Sequence, residues 1–242
     1  MQPQPTPDPA LVILIDKPLE WTSFDVVNKL RRGCRIKKLG HAGTLDPLAT
    51  GLLILCSGKR TKEIDQYQAQ EKEYTGTLVL GRTTPSVDLE TEFDVEFDTT
   101  GITPEQVQDA VKQLTGEIQQ IPPIYSAVRV NGERLYEKAR RGETIDRVPG
   151  GIKSRVVTVS GFAVDASRVG LEPFPEISFR IVCSKGTYIR SLVRDLGLLL
   201  GNGAYMSSLR RTRIGEFRIE NAETVEGFIT HFRTEYGLNQ PA

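Results

Sequence analysis

"GHAGTLDPLATGLLIL", residues 40–55, joins a glycine-rich loop to a continuous apolar run. The run at 51–56 predicts a buried strand, because short uninterrupted apolar segments are typical of strands covered on both faces. Asp46 is the one carboxylate in this stretch, and the nearest acids along the chain are Asp25 and Glu63. The bases between those two acids are Lys29, Arg31, Arg32, Arg35, Lys37, Lys38, Lys59, Arg60 and Lys62.

Two interpretations of Asp46 are open. In the first, Asp46 and Pro47 form an ordinary turn in which the carboxylate accepts hydrogen bonds from backbone amides. In the second, the carboxylate is a nucleophile or a base, because its apolar neighbours partly remove it from water within a basic surface. Nearby glycines would let a ligand approach the backbone closely, and they stand at positions 40, 43 and 51.

Charge is segregated along the chain although the formal net charge is zero. Residues 83–111 contain eight acids and no bases, whereas residues 29–38 contain six bases and no acids. A polyanion would be repelled by the first segment and attracted by the second. Acids at the even positions of 88–98 alternate with other residues, mostly apolar, which predicts a strand with an acidic solvent-facing side.

Metal, disulfide and nucleotide signatures are weak. The three cysteines are far apart and form no CxxC motif, and His41 and His231 are the two histidines. Disulfide frameworks and structural zinc sites need closer clusters. "SGKRTK" at 57–62 lacks the spacing of a phosphate-binding loop. We therefore expect no metal and no cofactor.

The first ten residues, "MQPQPTPDPA", lack the basic region and the apolar core of a signal peptide. Their proline content predicts a disordered tail over 1–10. No apolar run approaches the length that spans a membrane. We expect a cytoplasmic protein. We also expect a monomer, because the sequence contains no unexplained apolar stripe that would need to be buried against a partner.

Strand and helix patterns predict an α+β fold around a mixed, mostly antiparallel sheet flanked by helices and loops. The clearest helix, 103–116, has Thr103 as its cap and Gln106 in a capping box. Thr187 is expected to cap a helix over 187–201. Further predicted elements are strands at 11–15, 72–81 and 88–98 and a helix at 22–33.

Three other side chains each allow a structural and a functional interpretation. Tyr188 and Arg190 in "KGTYIRSL" lie at the start of a predicted helix. They form either a solvated helix end with a packed tyrosine or an anion-binding corner, in which the guanidinium holds a carboxylate in a bidentate pair. Tyr74 either packs in a strand or offers a platform for stacking an unpaired base. His41 is either a turn histidine or a functional one.

Together these segments resemble the bacterial TruB family of tRNA pseudouridine synthases from about residue 11 to residue 213. "LGHAGTLDPLATGLLIL" is similar to the family's catalytic loop and is the most specific match. The other matching segments are "IDKPLEWTSFDVVNKL", "KEYTGTLVLG", "PPIYSAVRVNGERLYEKARRGE", "CSKGTYIRSLVRDLG" and "LRRTRIG". The resemblance implies the pseudouridine synthase fold.

The resemblance also implies a reaction and a partner. The family isomerises uridine 55 in the T-loop of tRNA to pseudouridine, without metal or cofactor, and binds the T-arm. Asp46 would be the catalytic carboxylate, and Arg190 would pair with it. The carboxylate could attack the sugar C1′, attack the base C6 or remove the 2′ proton, and the sequence does not choose among these routes.

Other roles carried over by the resemblance concern the flipped base and the loop. Tyr74 would stack on the flipped uracil, and Tyr188 would line its pocket. His41 would help to open the T-loop. Lys17 and Pro18 would support the catalytic loop from below.

The sequence departs from the family pattern in two places. Glu20 stands where the family usually has glycine, which puts the local turn in question. "TTPSVDLETE" at 83–92 differs from the commoner form with "TDT". We expect a catalytic domain over 11–215 and a short extension over 216–242, too short for the second RNA-binding domain of many relatives.

Two rival functions remain at this point. One is that of the related archaeal and eukaryotic branch, which acts within guide-RNA particles. The "LATG" ending of the catalytic loop favours the bacterial type. The other rival is a non-catalytic RNA-binding protein on the same scaffold, for which Asp46 would be dispensable.

Overall fold

The computed structural model of the protein describes residues 9–126, 128–130, 132–141 and 152–238. These residues form two compact units. Unit 1 combines the described residues up to Tyr74 with those from Leu209 onward, and unit 2 covers the described residues of Thr75–Ser208. Residues 1–8 of the predicted Pro-rich tail lie outside the described residues.

Unit 1 is built on strand β3 (Ala49–Ser57), which pairs antiparallel with β1 (Val12–Lys17) along its length. β3 also pairs antiparallel with the short β2 (Leu39–His41) and parallel with the unit 1 part of β12 (Ala204–Ile214). The predicted strands at 11–15 and 51–56 are thereby confirmed. The other elements are α1 (Ser23–Gly33), α2 (Ile64–Ala69), the start of β4 (Lys72–Leu80), β13 (Phe217–Arg218), α6 (Val225–Glu235) and 3-10 turns at Gly58–Glu63 and Ile219–Asn221.

The core of unit 1 lies where β1 and β3 meet α1 and α6. Thr22 caps α1 through a capping box with Asp25, which satisfies amides that the first turn of a helix leaves free. Burying each large aliphatic side chain contributes roughly 1.5–3 kcal/mol. The helix α6, within the predicted extension 216–242, is thus part of this core. The buried side chains include Ile13, Ile15, Val26, Val27, Leu30, Leu53, Leu55, Phe228 and Phe232.

Unit 2 contains three adjacent antiparallel strands in the order β7 (Gly116–Gln120), β10 (Arg155–Asp165) and β11 (Glu176–Cys183). The predicted helix at 103–116 appears as α3 (Pro104–Gln113), with the expected capping box between Thr103 and Gln106. The other elements are β5 (Arg82–Thr83), β6 (Val95–Glu96), β8 (Arg129–Val130), β9 (Glu133–Arg134), α4 (Leu135–Arg140), α5 (Ile189–Leu199) and the unit 2 parts of β4 and β12.

Strand directions match the predicted fold class. In unit 1, β1 and β2 pair antiparallel with β3, and β13 pairs antiparallel with β12, whereas β3 and β12 pair parallel. In unit 2, the pairs β7–β10, β10–β11, β5–β6 and β8–β9 are antiparallel. The predicted α+β fold with a mixed, mostly antiparallel sheet is therefore confirmed. Among the described residues, none of the helices is long and apolar enough to cross a membrane.

The predicted strand over 88–98 is wrong. β6 covers only Val95–Glu96, and Asp88 is buried instead of facing solvent. Val87, immediately before this segment, has a φ of 62°, which lies outside the β region that strand residues other than glycine favour. The hydroxyls of Thr84 and Ser86 both donate to the Asp88 carbonyl, at 2.6 and 3.1 Å. These side-chain contacts replace strand pairing with a series of turns.

The predicted cap of the helix after residue 187 is also wrong. α5 begins at Ile189, and Tyr188 occupies the N-cap position without a side-chain hydrogen bond. The Thr187 hydroxyl instead donates to the Ser184 carbonyl at 2.9 Å, which stabilises the turn before the helix. The first turn of α5 is therefore held by other contacts.

Candidate active site

Asp46 begins a tight turn in the loop between β2 and β3. Its carbonyl accepts a hydrogen bond from the Ala49 amide at 3.0 Å, which closes a four-residue turn with Pro47 in the second position. Aspartate and proline are favoured at these two positions of a β-turn. The Asp46 side chain is partly buried. The expected Asp-Pro turn is present, and it fixes the backbone that carries the carboxylate.

Segments before and at the start of α1 hold this turn on both sides. The Ser23 hydroxyl is buried, accepts from the Leu45 amide at 2.9 Å and lies 3.3 Å from the Leu45 carbonyl. The Glu20 amide donates to the Pro47 carbonyl at 2.9 Å. Residues on either side of Asp46 are thereby tied to one rigid segment.

Lys17 lies fully buried beneath the same turn. Its ammonium donates to the carbonyls of Pro18, Trp21 and Pro47 at 2.9, 2.5 and 3.2 Å, which uses all three of its N–H groups. Burial lowers the pKa of Lys17 to about 8, while the Asp46 carboxylate opposes that shift and Arg211 adds to it. The position fits the predicted support of the loop from below.

Arg211, in β12, is a second buried cation beside the loop, with 1% of its surface exposed. Its guanidinium donates to the Leu52 carbonyl at 2.8 Å and approaches the carbonyls of Gly43 and Thr44 at 3.2 and 3.5 Å. These contacts join the start of the loop to the strand that follows it. No local sequence pattern marks this residue as functional.

His41 ends β2 at the entrance of the loop and is partly buried. Burial lowers its pKa, and the positive charge of Arg211 lowers it further, while the Gly43 backbone acts in the opposite direction. The imidazole is therefore neutral near pH 7. Among the described residues, no hydrogen-bond partner is found for its buried Nδ1 atom. A neutral ring at this point can donate or accept a hydrogen bond.

Tyr74 lies in β4 at the end of the first part of unit 1, and only 7% of its surface is exposed. This burial is consistent with the interpretation that Tyr74 packs as an ordinary strand residue. Stacking on a base requires only that one ring face be reached, so the stacking role stays a prediction.

Arg190 lies in the first turn of α5, in unit 2, and is buried. It donates to the carbonyls of Ser86 and Tyr125 at 3.0 and 2.7 Å. Its Nε atom lies 3.6 Å from the carboxylate of Asp88, and both side chains are 4% exposed. Such a buried pair needs both partners, because removing one leaves a charge without compensation.

The backbone of the Asp88 segment, which faces Arg190, is strained. Val87 adopts a φ of 62°, in a region that β-branched residues rarely occupy. The Asp88 carboxylate also accepts from the Glu90 amide at 3.0 Å. Strain of this kind persists where surrounding contacts over-determine the backbone, and it often marks functional sites. This is the segment that departs from the family's "TDT" form.

Tyr188 is held through its backbone by Gln120, a fully buried residue at the end of β7. The Gln120 side chain accepts from the Tyr188 amide at 2.8 Å and donates to its carbonyl at 3.1 Å. The Arg155 guanidinium lies 5.1 Å from the centre of the partly exposed Tyr188 ring. The ring is thus oriented by contacts that the sequence did not reveal.

The predicted site residues divide between the two units. Unit 1 contains Lys17, His41, Asp46 and Tyr74, and unit 2 contains Tyr188 and Arg190. The predicted pairing of Asp46 with Arg190 joins different units and stays a prediction. Across the part of the chain that the structure describes, no three His, Cys, Asp or Glu side chains are grouped as a metal site.

Two family models together match residues 31–236 of the chain. "TruB family pseudouridylate synthase (N terminal domain)" matches residues 31–189, and "tRNA pseudouridylate synthase B C-terminal domain" matches residues 190–236. The chain therefore belongs to the TruB family of pseudouridylate synthases. The family predicted from the catalytic-loop segment is confirmed.

Relatives in several bacteria share about half of the sequence. A tRNA pseudouridine synthase B of Flavobacterium johnsoniae is 53% identical over 218 residues, which cover 87% of this chain and 91% of that protein. One from Phocaeicola vulgatus is 48% identical, with 90% and 91% covered. One from Chloroherpeton thalassium is also 48% identical, with 90% and 88% covered.

Solved structures support the fold. The chain is similar to a chain in the crystal structure of a Cbf5–Nop10–Gar1 complex, with a TM-score of 0.69 and 30% identity. The similarity covers 93% of this chain and 56% of that one. The predicted pseudouridine synthase fold is confirmed together with the family.

Proposed function

We propose that this chain is a tRNA pseudouridine synthase that isomerises uridine 55 in the T-loop of tRNA to pseudouridine. The main support is the position of Asp46, a single carboxylate on a turn held by Ser23, Lys17 and Arg211. Similarity across 91% of a protein named tRNA pseudouridine synthase B supports the choice of substrate.

The reaction requires a base outside its stack and a carboxylate beside the sugar. The bond from C1′ to N1 breaks, the uracil rotates, and a bond from C1′ to C5 forms. The C5 proton leaves to solvent, and N1 takes up a proton. Flipping the uridine costs a few kcal/mol, which stacking and pocket contacts offset. The carboxylate of Asp46 acts at C1′, at C6 or at the 2′ proton, and all three routes place it at the nucleoside.

The remaining residues act around that step. Arg190 pairs with the Asp46 carboxylate. Tyr74 stacks on the uracil and Tyr188 lines its pocket. Neutral His41 enters the opened T-loop as a hydrogen-bonding group without adding a charge. Lys17 keeps the turn in place through the Pro47 carbonyl.

The partner is the T-arm of tRNA, and the chain acts as a monomer in the cytoplasm. The catalytic domain over 11–215 supplies most of the binding surface. The segment 29–38 contacts the phosphate backbone, because Lys29, Arg32, Arg35, Lys37 and Lys38 are exposed. Phosphate contacts of this kind dominate affinity without specifying sequence.

Release of tritium from tRNA labelled at uridine C5 tests the proposal. We expect wild-type protein to release tritium from tRNA without any guide RNA, and Asp46→Asn to lose the activity while still binding tRNA. Asp65→Asn is the matched control, because it makes the same change at an exposed site on α2. An Asp46→Asn variant that releases tritium at the wild-type rate would exclude the mechanism. Binding without any release by wild type would favour the RNA-binding rival.

A further inference from the structure

Arg211 is a charged group that the proposed reaction does not use directly. It lies in β12, far from the Asp46 loop in sequence, and is among the largest fully buried side chains. A buried guanidinium needs acceptors for its N–H groups. The acceptors that Arg211 finds, in the described part of the chain, are all backbone carbonyls.

Those carbonyls lie on both sides of Asp46. Gly43 and Thr44 precede it, and Leu52 follows it in β3. A planar guanidinium fixes the directions of its N–H groups, so it can set the distance between two segments more strictly than an ammonium can. The loop is therefore closed at its base by one side chain.

The approach of β12 depends on a glycine near the start of β3. Gly51 has a φ of 102°, and a Cβ atom built there would lie 2.3 Å from the Arg211 carbonyl oxygen. No side chain fits at that distance. The absence of a side chain at residue 51 lets the backbone of Arg211 pair closely with β3, which brings the guanidinium to the loop.

We propose that Arg211 is a positioning residue, whose guanidinium sets the geometry of the Asp46 loop through the carbonyls of Gly43, Thr44 and Leu52. The inference rests on the proposed function, because Asp46 is taken as the catalytic carboxylate. A shift of about 1 Å in a reacting group is enough to slow a reaction on the order of 100-fold. Binding of tRNA uses a larger surface and is insensitive to such a shift.

A kinetic comparison of Arg211→Lys with Arg210→Gln tests the proposal. Arg210 is the matched control, since it is the adjacent arginine and its guanidinium pairs with Asp16 at 2.7 Å instead of with the loop. We expect Arg211→Lys to remain folded, to bind tRNA within about threefold of wild type, and to release tritium about 10- to 100-fold more slowly under single turnover. Arg210→Gln should keep the wild-type rate.

Several outcomes overturn the proposal. A wild-type rate in Arg211→Lys does so directly. Parallel losses of rate and affinity in Arg211→Lys, or equal losses of rate in both variants, would assign Arg211 a general role in folding. Failure of the proposed function is a different result, because wild-type protein would then release no tritium.

Titration of the histidines gives a readout that does not need activity. The chain has two histidines, His41 beside Arg211 and the exposed His231 on α6. Arg211→Gln should raise the pKa of His41 in NMR titrations, whereas Arg211→Lys, which keeps the charge, should leave it unchanged. An unchanged His41 in folded Arg211→Gln would show that the guanidinium does not lie against the loop, and would overturn the proposal. If Arg211→Gln does not fold, Arg211→Lys decides.

Discussion

Two buried arginines, one in each unit, contact backbone in similar ways but differ in electrostatic balance. Arg211 in unit 1 and Arg190 in unit 2 both donate to backbone carbonyls from separate segments. Arg190 also faces the carboxylate of Asp88 at 3.6 Å. Hydrogen bonds to the carbonyls fix the position of each guanidinium. A nearby carboxylate, where there is one, offsets part of the positive charge that the guanidinium exerts on its neighbours.

The charge of Arg211 acts on its neighbours in unit 1. It lowers the pKa of His41 and contributes to the lowered pKa of Lys17. Among the charges acting on Lys17, Asp46 has the largest effect and opposes the shift, ahead of Arg211 and Asp25. The single acid of the loop therefore lies beside two buried cations.

The largest expected effect in this comparison of the two buried arginines is at Arg190. Arg190→Ala should reduce the rate of tritium release about 100-fold or more, because removing one fixed electrostatic contact in an active site has an effect of that size. Affinity for tRNA should change much less, since this residue is buried away from the phosphates. Single-turnover kinetics and a tRNA-binding assay measure the two effects separately.

The matched variant for that experiment is Asp88→Asn. It removes the acid but leaves the carbonyl contacts of Arg190 with Ser86 and Tyr125. Its rate should therefore fall less than that of Arg190→Ala. Equal losses of rate and affinity in Arg190→Ala would instead assign Arg190 to backbone binding.

The second test concerns the stability of unit 1 at alkaline pH. The pKa of Lys17 is about 8 in the folded protein, against the ordinary 10.5 expected when unfolded. Between these values the unfolded chain binds more protons, so folding stability should rise with pH. The increase, measured as wild type minus Lys17→Met, should reach about 3 kcal/mol at pH about 10.5.

Urea unfolding at several pH values measures this difference, and the variant corrects for the other groups that titrate in the same range. A difference between wild type and Lys17→Met that is independent of pH would contradict the burial of a charged ammonium beneath the loop.

Features of the structure could be predicted from the sequence where they depend on contacts between residues that are close along the chain. The turn at Asp46 was predictable, because Asp-Pro chemistry and the apolar run that follows act over a few residues. The cap at Thr22 and the helix α3 follow from local patterns for the same reason. The glycines, apolar residues and bases that make Asp46 a candidate are also close to it in the sequence.

The contacts that hold the site are distant in sequence. Asp88 alternates with apolar residues and therefore had the pattern of a solvent-facing strand residue, although it is buried against Arg190. Arg211 stands beside Arg210 in "LRRTRIG", and nothing local distinguishes the buried arginine from its partly exposed neighbour. The positions of Asp88 and Arg211 follow from tertiary packing, which the periodicity of apolar and polar residues along the sequence does not reveal.

The third test compares basic surfaces of the two units. Replacing the exposed Arg32, Arg35 and Lys37 by Gln should reduce the slope of log affinity against log salt by about 0.7–0.9 for each phosphate that is no longer neutralised. The matched control replaces Lys112 and Arg168, exposed bases of unit 2 that pair with acids. An unchanged slope in the first variant, measured by filter binding at several salt concentrations, would place the RNA elsewhere.

The smallest expected effect concerns backbone strain at Glu20. This exposed residue has a φ of 66° at the position where the family usually has glycine. Glycine would relieve a cost of about 1–2 kcal/mol, partly offset by its greater freedom when unfolded. Glu20→Gly should therefore stabilise the fold by up to about 1 kcal/mol in urea unfolding, with tritium release unchanged. Destabilisation would show that the Glu20 side chain supports the turn.

The most direct test of the central claim uses two tRNA transcripts labelled at uridine C5. We expect wild-type protein alone to release about one equivalent of tritium from a tRNA with uridine at position 55. It should release none from the same tRNA with cytidine at that position. Release from the cytidine-55 transcript, or no release from either, would contradict the assignment as a tRNA pseudouridine-55 synthase.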